Sequence, residues 1–128
     1  MSKNNKKKVL VVDDAAFTRN MLKKIINKTG YTTVVGEAMN GNEAIKLYKE
    51  LKPDLVTMDL VMPEKGGIEA TEELIKADND ATIVVVSALG QEALVLEAAK
   101  KGAKDFIQKP FKTEQVLEVM ERILLNKE

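Results

Sequence analysis

The sequence of 128 residues contains no cysteine, no histidine and no tryptophan. Without cysteine the chain can form no disulfide, no thiolate metal site and no cysteine nucleophile. Without histidine it has no imidazole to act as a general base or to bind a transition metal. A metal site would have to use oxygen ligands, and oxygen ligands alone favour Mg²⁺.

Charge of one sign and long apolar runs are also missing. Twenty basic residues balance twenty acidic ones, so no overall charge favours nucleic acid or an acidic membrane. No apolar run approaches the ~20 residues needed to span a bilayer, and the polar start at residues 1–8 does not resemble a signal peptide. With 45% hydrophobic residues the chain is not disordered in composition. We expect one cytoplasmic domain over 1–128, with a flexible polar tail over 1–7 and no nucleic-acid or membrane partner.

Strand-like and helix-like patterns alternate along the chain. Apolar or β-branched runs predict strands at 8–13, 33–37, 54–59, 82–87 and 104–108, the last of them at a sheet edge because it is shorter and more polar. Five helical patterns follow these strands. The first has an apolar stripe that begins at Phe17, the second begins after an Asn40 cap, the third follows Gly66-Gly67, the fourth covers 91–101, and Thr113 caps the last. This alternation predicts an α/β fold: a doubly wound, five-stranded parallel sheet flanked by five helices.

Polar side chains stand where the predicted strands end. The carboxyl ends of parallel strands meet at one edge of a sheet, and ligands bind there. We therefore expect five residues that are distant in the sequence to lie together: Asp13, Asp14, Asp59, Ser87 and Lys109.

Three clustered carboxylates repel one another, so they either raise one another's pKa or hold a cation. A carboxylate beside Mg²⁺ can attack a phosphoryl donor and form an aspartyl phosphate. The lysine ammonium would stabilise charge on the transferred group, and the hydroxyl of Ser87 could donate a hydrogen bond to it. The residues thus indicate a site for a divalent cation and a phosphoryl group.

The motifs Val11-Val12-Asp13-Asp14, Met58-Asp59-Leu60-Val61-Met62-Pro63, Ser87-Ala88 and Lys109-Pro110, at their spacing, resemble the receiver domains of two-component response regulators. The resemblance implies a flavodoxin-like sheet of order 2-1-3-4-5 and Asp59 as the phospho-acceptor. It implies that Asp14, Asp59 and the Val61 carbonyl bind Mg²⁺, with Asp13 acting directly or through a water. It also implies that Ser87 and Lys109 bind the phosphoryl group and that the Lys109-Pro110 bond is cis.

The segments 13–17, 87–91 and 102–111 are most similar to the stand-alone chemotaxis regulators of that family. This implies a monomeric phospho-acceptor that is not an enzyme, fed by a histidine kinase resembling CheA. Its target would be a motor switch protein resembling FliM or an archaeal adaptor. Ser87 and Phe106 would form the conformational switch. The predicted output surface consists of Gln91, Leu94, Val95, Ala98, Lys101, Phe106 and Gln108.

Two other functions remain open at this point. A phosphorelay intermediate would pass the phosphoryl group to a histidine phosphotransferase. A phosphatase would use Asp59 as its nucleophile, but haloacid-dehalogenase-type phosphatases have an acid two residues later, where this chain has Val61. Because Val61 and Leu89 are apolar and cannot orient an attacking water, we expect slow intrinsic dephosphorylation and a separate phosphatase.

Overall fold

A computed structural model describes residues 5–125, which form a five-stranded parallel sheet covered by helices on both faces. The strands are β1 (Lys7–Val12), β2 (Thr32–Ala38), β3 (Leu55–Asp59), β4 (Ile83–Ser87) and β5 (Asp105–Gln108). The helices are α1 (Ala16–Asn27), α2 (Gly41–Leu51), α3 (Gly67–Ala77), α4 (Glu92–Lys100) and α5 (Thr113–Leu124). The strand order is β2-β1-β3-β4-β5 and every pairing is parallel, which confirms the predicted fold class and order.

The three central strands are apolar on both faces because a layer of helices covers each face. Alternate side chains of these strands pack against α2, α3 and α4, among them Leu10, Met58 and Val85. The intervening side chains, such as Val11 and Val84, pack against α1 and α5. Two hydrophobic layers therefore hold the sheet rigid, and its carboxyl edge becomes a fixed platform.

The start of the chain differs slightly from the prediction. Strand β1 begins at Lys7, which was predicted to belong to the polar tail, because Lys7 pairs with Thr32 of β2. Residues 1–4 of the predicted tail lie outside the described residues.

Two predictions about helix starts and stripes are wrong. Thr113 is not the cap of α5 but its first residue; Lys112 precedes the helix, and its N–H donates to the side chain of Gln115 at 3.0 Å. Phe17 does not join the buried stripe of α1, which consists of Leu22 and Ile26. Phe17 lies in an exposed groove beside Leu89, because the first turn of α1 extends beyond the hydrophobic core.

The Asn40 cap of α2 is confirmed, since its side chain accepts the N–H of Glu43 at 2.9 Å. The position of β5 at a sheet edge is confirmed as well. Among residues 5–125, no helix has the length and apolar character that a membrane crossing requires.

Candidate phosphorylation site

The register of the parallel strands brings the predicted site residues to one edge of the sheet. Val12 pairs with Met58, so Asp13 and Asp59 follow at the same level of two adjacent strands. Ser87 is the last residue of β4 and pairs with Gln108 of β5. The chain leaves β5 at Lys109, whose N–H donates to the Ser87 carbonyl at 2.7 Å.

The three predicted acids converge as expected. Asp13, Asp14 and Asp59 each offer one carboxylate oxygen, and these oxygens all lie within 4.8 Å of one another. Asp13 and Asp59 are buried, whereas Asp14 is exposed at the mouth of the pocket. Two buried carboxylates and one accessible carboxylate at this spacing form a strongly negative site that is open to solvent on one side.

The ammonium of Lys109 lies between the two buried carboxylates. Its Nζ is 3.1 Å from Asp13 Oδ2 and 3.5 Å from Asp59 Oδ1. The contact with Asp13 is an ion pair without hydrogen-bond geometry, so Asp13 Oδ2 is a buried oxygen that accepts no hydrogen bond from the described residues. One cation thus offsets only part of the negative charge of three acids.

The carboxyl group of Asp59 has a perturbed pKa. Burial, followed by the charge of Asp13, raises the pKa of Asp59 to about 6, although Lys109 opposes the shift. Burial by itself would lower the pKa of Lys109, but the contacts of its ammonium with the negative charges of Asp13 and Asp59 outweigh burial and raise that pKa. Asp59 is therefore poorly solvated, and Lys109 is held in its charged form.

The residues fit a magnesium ion. The donors are carboxylate oxygens only, which suits a hard divalent cation and excludes a site for a soft metal. The buried Asp13 Oδ2 has an unused lone pair, and a cation would relieve the repulsion that raises the pKa of Asp59. Asp13, Asp14 and Asp59 are the side chains that would hold the ion; the role of the Val61 carbonyl stays a prediction.

The Lys109-Pro110 peptide bond is cis, as the family resemblance implied. Gly67, the first residue of α3, is a feature that the sequence analysis missed. An added Cβ at Gly67 would lie 2.1 Å from the carbonyl oxygen of Asp59, so only glycine allows α3 to pack directly against the end of β3. The pair Gly66-Gly67 was a visible signal, but nothing in the sequence showed which glycine contacts the strand.

Four of the predicted switch and output residues line a groove beside this pocket, namely Ser87, Val95, Phe106 and Gln108. Lys101 lies instead at the C-terminal end of α4, where its ammonium is 3.4 Å from Glu72 of α3. Ser87 is buried, whereas Phe106 is 48% exposed on the edge strand. A largely apolar groove of about 330 Å³ runs between α4 and β5, and we call its lining the α4–β5 surface: Ser87, Ala88, Glu92, Val95, Leu96, Phe106 and Gln108.

The prediction that Ala98 belongs to the output surface is wrong. Ala98 is fully buried, because it lies on the inner face of α4 and packs into the core cluster that contains Val85 of β4 and Leu74 of α3. Leu94 and Val95 are half-buried against the same core. Leu96, which was not among the predicted output residues, is 66% exposed and lines the groove.

This fold and its cluster of acids with one lysine define a class of protein, and sequence comparison gives the same class. The family model of the response regulator receiver domain matches residues 9–121, and the chain belongs to this family.

Within the family the chain is similar to chemotaxis proteins named CheY. It is 59% identical to CheY of Thermotoga maritima, covering 91% of this chain and 97% of that protein. It is 50% identical to CheY of Listeria monocytogenes, covering 90% and 96%. The crystal structure of a CheX-CheY-BeF₃-Mg complex from Borrelia burgdorferi aligns with a TM-score of 0.84 at 34% identity, covering 94% of this chain and 97% of that one.

Proposed function

We propose that the protein receives a phosphoryl group on Asp59 from a histidine kinase and then signals by binding a second protein. The observation that carries this proposal is the position of Asp59: a desolvated carboxylate at a strand end, within reach of two further acids and 3.5 Å from the ammonium of Lys109. A carboxylate in this setting is less stabilised by solvent and is available as a nucleophile.

The transfer forms one bond and breaks one. An oxygen of Asp59 attacks phosphorus, the bond between phosphorus and the imidazole nitrogen of the kinase breaks, and the imidazole leaves with the electron pair. Mg²⁺, when bound by the acid cluster, supplies positive charge against the phosphoryl oxygens. Lys109 and the hydroxyl of Ser87 bind the transferred group. The protein thus assists its own modification without acting on a separate substrate.

Hydrolysis of the aspartyl phosphate ends the signal. The side chains predicted to flank the attacking water, Val61 and Leu89, are 56% and 78% exposed and carry no group that could orient or deprotonate a water molecule. We infer slow intrinsic hydrolysis and a separate phosphatase. The exposed mouth of the pocket, where Asp14 also lies, leaves room for a partner to bring its own polar group to the water.

The α4–β5 surface is the output surface in this proposal. Leu96 and Phe106 expose large apolar side chains along one groove, and such a groove suits an apolar side chain on a partner helix. A motor switch protein resembling FliM is the proposed target, since the CheY relatives are chemotaxis proteins. The proposed donor is a kinase resembling CheA. The complex of the Borrelia CheY with CheX supports binding to separate proteins.

The acceptor chemistry is tested by intact mass after incubation with Mg²⁺ and acetyl phosphate. We expect a labile gain of about 80 Da, the mass of one phosphoryl group, in the parent and in Asp54→Asn. Asp54 is a matched control, because it is an aspartate at the opposite end of β3, where it accepts the N–H of Lys8. Asp59→Asn should show no gain. An equal gain in Asp59→Asn would refute the acceptor assignment.

The output is tested by titrating the motor switch protein of the same organism into the phosphorylated chain. We expect binding that depends on phosphorylation and is lost in Leu96→Ala. Met39→Ala is the control, since Met39 is also an exposed apolar residue but lies outside the α4–β5 surface. Transfer of the phosphoryl group to a histidine phosphotransferase, with no binding to the switch protein, would instead support a phosphorelay.

A further inference from the structure

A second polar cluster lies next to the acidic pocket, between α1 and β2. The Arg19 Nε atom donates to Glu37 Oε1 at 2.9 Å, and Lys23 Nζ donates to Glu37 Oε2 at 2.7 Å. We call these three residues the α1–β2 ion cluster. Lys23, followed by Arg19, holds the pKa of Glu37 below its usual value against the effect of burial, so Glu37 is charged at neutral pH.

Arg19 also reaches the acidic pocket. Its Nη1 atom donates to the main-chain carbonyl of Asp13 at 2.8 Å. A guanidinium can hold two acceptors at once because its donors form a rigid planar fork. Here one side of the fork is fixed by Glu37 and the other by Asp13. The side-chain hydrogen bond of Lys23, in contrast, goes to Glu37 alone among residues 5–125.

Three hydrogen bonds on three different groups fix Asp13. Its N–H donates to the carbonyl of Ala38 at 3.0 Å, its carbonyl accepts from Arg19, and its Oδ1 accepts the N–H of Ala15 at 2.9 Å. The atom left over is Oδ2, the buried oxygen beside Lys109 that accepts no hydrogen bond from the described residues. Apart from its ion pair with Lys109, Oδ2 is therefore the carboxylate oxygen of Asp13 that remains available to a cation.

We propose that Arg19 is a positioning residue for the magnesium site: it holds the backbone of Asp13 so that Oδ2 faces the acid cluster, and Glu37 orients the guanidinium. This inference rests on the proposed Mg²⁺-dependent function. Residues that orient metal ligands without touching the metal commonly contribute tenfold or more to metal affinity. Arg19 is a residue of this kind, because it contacts the main chain of the metal ligand Asp13 and is not itself a ligand.

The positioning role predicts that loss of the Arg19 side chain weakens Mg²⁺ binding, whereas loss of its positive charge alone would strengthen it. Arg19→Met removes a positive charge near a cation site, which by Coulomb's law alone would strengthen Mg²⁺ binding. Loss of the hydrogen bond to the Asp13 carbonyl should weaken it. Lys23→Met removes the same charge from the same cluster but leaves the contact with Asp13 intact, so it is the matched control.

The experiment is a Mg²⁺ titration without phosphoryl donor, followed by the amide NMR shifts of residues 13, 14 and 59. The Mg²⁺ dissociation constant of Arg19→Met should rise by about tenfold, the effect typical of residues that orient a metal ligand. Lys23→Met should bind Mg²⁺ as tightly as the parent or more tightly. Arg19→Lys keeps the charge but cannot form both contacts, so its affinity should lie between those of the parent and Arg19→Met. At saturating Mg²⁺, the phosphorylation rate of all variants should approach that of the parent.

The possible results separate the positioning role of Arg19 from the proposed function itself. Equal or tighter binding by Arg19→Met overturns the positioning role, and so does equal weakening by Lys23→Met. If Arg19→Met does not fold, as judged by its amide spectrum, Arg19→Lys replaces it, and unchanged affinity in that variant overturns the role. A parent that binds no Mg²⁺ refutes the proposed function itself. A parent that binds Mg²⁺, with unaltered Arg19 variants, refutes only this inference.

Discussion

The acidic pocket and the α4–β5 surface adjoin each other at the carboxyl edge of the sheet, yet they are built in opposite ways. The pocket consists of buried polar groups held by short contacts, such as Asp13 and Asp59 around Lys109. The surface consists of exposed apolar groups on α4, which buries only Ala98 completely, and on the edge strand β5. Burying charged groups in the pocket costs stability, and a bound cation can offset that cost. Exposing apolar groups on the α4–β5 surface also costs stability, and a bound protein can offset it.

The largest effect on the pocket should come from a substitution that adds one carbon atom beneath it, Gly67→Ala. In Gly67→Ala the new Cβ would lie 2.1 Å from the Asp59 carbonyl, so β3 or α3 must shift. We expect the free energy of unfolding to fall by about 3 kcal/mol, the upper end of the usual cost of overpacking a core, because backbone must move, and we expect Mg²⁺ binding to weaken. Urea denaturation and the Mg²⁺ titration measure these effects.

The neighbouring glycine is the control for that substitution. An added Cβ at Gly66 meets the Leu60 carbonyl at 3.3 Å, which a small adjustment relieves. Gly66→Ala should therefore stay close to the parent in both measurements. If the two alanine variants lost equal stability, the close approach of α3 to Asp59 would not be the cause.

The second prediction concerns the stability cost of the buried acid. A group whose pKa is raised on folding contributes stability that is complete below its unfolded value of 3.8 and is lost as the pH rises through about 6. At pH 8 the charged Asp59 therefore destabilises the folded chain. Asp59→Asn should raise the free energy of unfolding by about 3 kcal/mol in EDTA at that pH, since the pKa shift of about two units corresponds to about 1.4 kcal/mol per unit.

The gain in Asp59→Asn should shrink as the pH is lowered from about 6 toward 4, because the parent is then protonated at this position. Mg²⁺ should stabilise the parent more than the variant, since ligand binding to the folded state adds to its stability. Urea denaturation at three pH values, with and without Mg²⁺, measures both effects. A gain that did not change with pH would contradict the electrostatic explanation.

The third prediction concerns the apolar side chain of Val61 at the mouth of the pocket. Val61→Asn introduces an amide that can orient the attacking water, so the phosphorylated form should decay several-fold faster, a change of about 1 kcal/mol in the barrier. Phosphoryl loss is followed by intact mass after removal of the donor. The control Val61→Leu keeps the position apolar and should leave the decay unchanged. No acceleration in Val61→Asn would count against the proposed reason for slow hydrolysis.

The smallest effect on stability should come from the α4–β5 surface. Because Leu96 is 66% exposed, Leu96→Ala should change the free energy of unfolding by less than about 0.5 kcal/mol while it abolishes binding to the switch protein. Leu94 lies on the same helix but packs against the core, so Leu94→Ala should cost about 2 kcal/mol. Thermal denaturation of both variants checks the comparison; similar losses would mean that α4 has no distinct outer face.

The sequence predicted what local patterns and strand order determine. Continuous apolar runs marked β1, β3 and β4 because both faces of these strands are covered, and strand order then placed Asp13, Asp59 and Ser87 together. Contacts that a helix makes back to the end of the preceding strand left no signal in the residue pattern. The Gly67 contact with Asp59 and the Arg19 contact with Asp13 belong to this kind, although Arg19 is one of only two arginines in a lysine-rich chain. Thr113 looked like a cap because its residue type is favourable there, but the competing side chain of Gln115 fixed the start one residue earlier.

The wide separation of the pocket residues along the chain has a consequence for when the site assembles during folding. Asp59 and Lys109 are 50 positions apart, and they meet only after β3, β4 and β5 have paired. During synthesis the three acids are made long before the lysine that balances them. A partly folded or misassembled molecule has no assembled site to receive a phosphoryl group. Under the proposed function, only a completely folded molecule can therefore accept a phosphoryl group on Asp59.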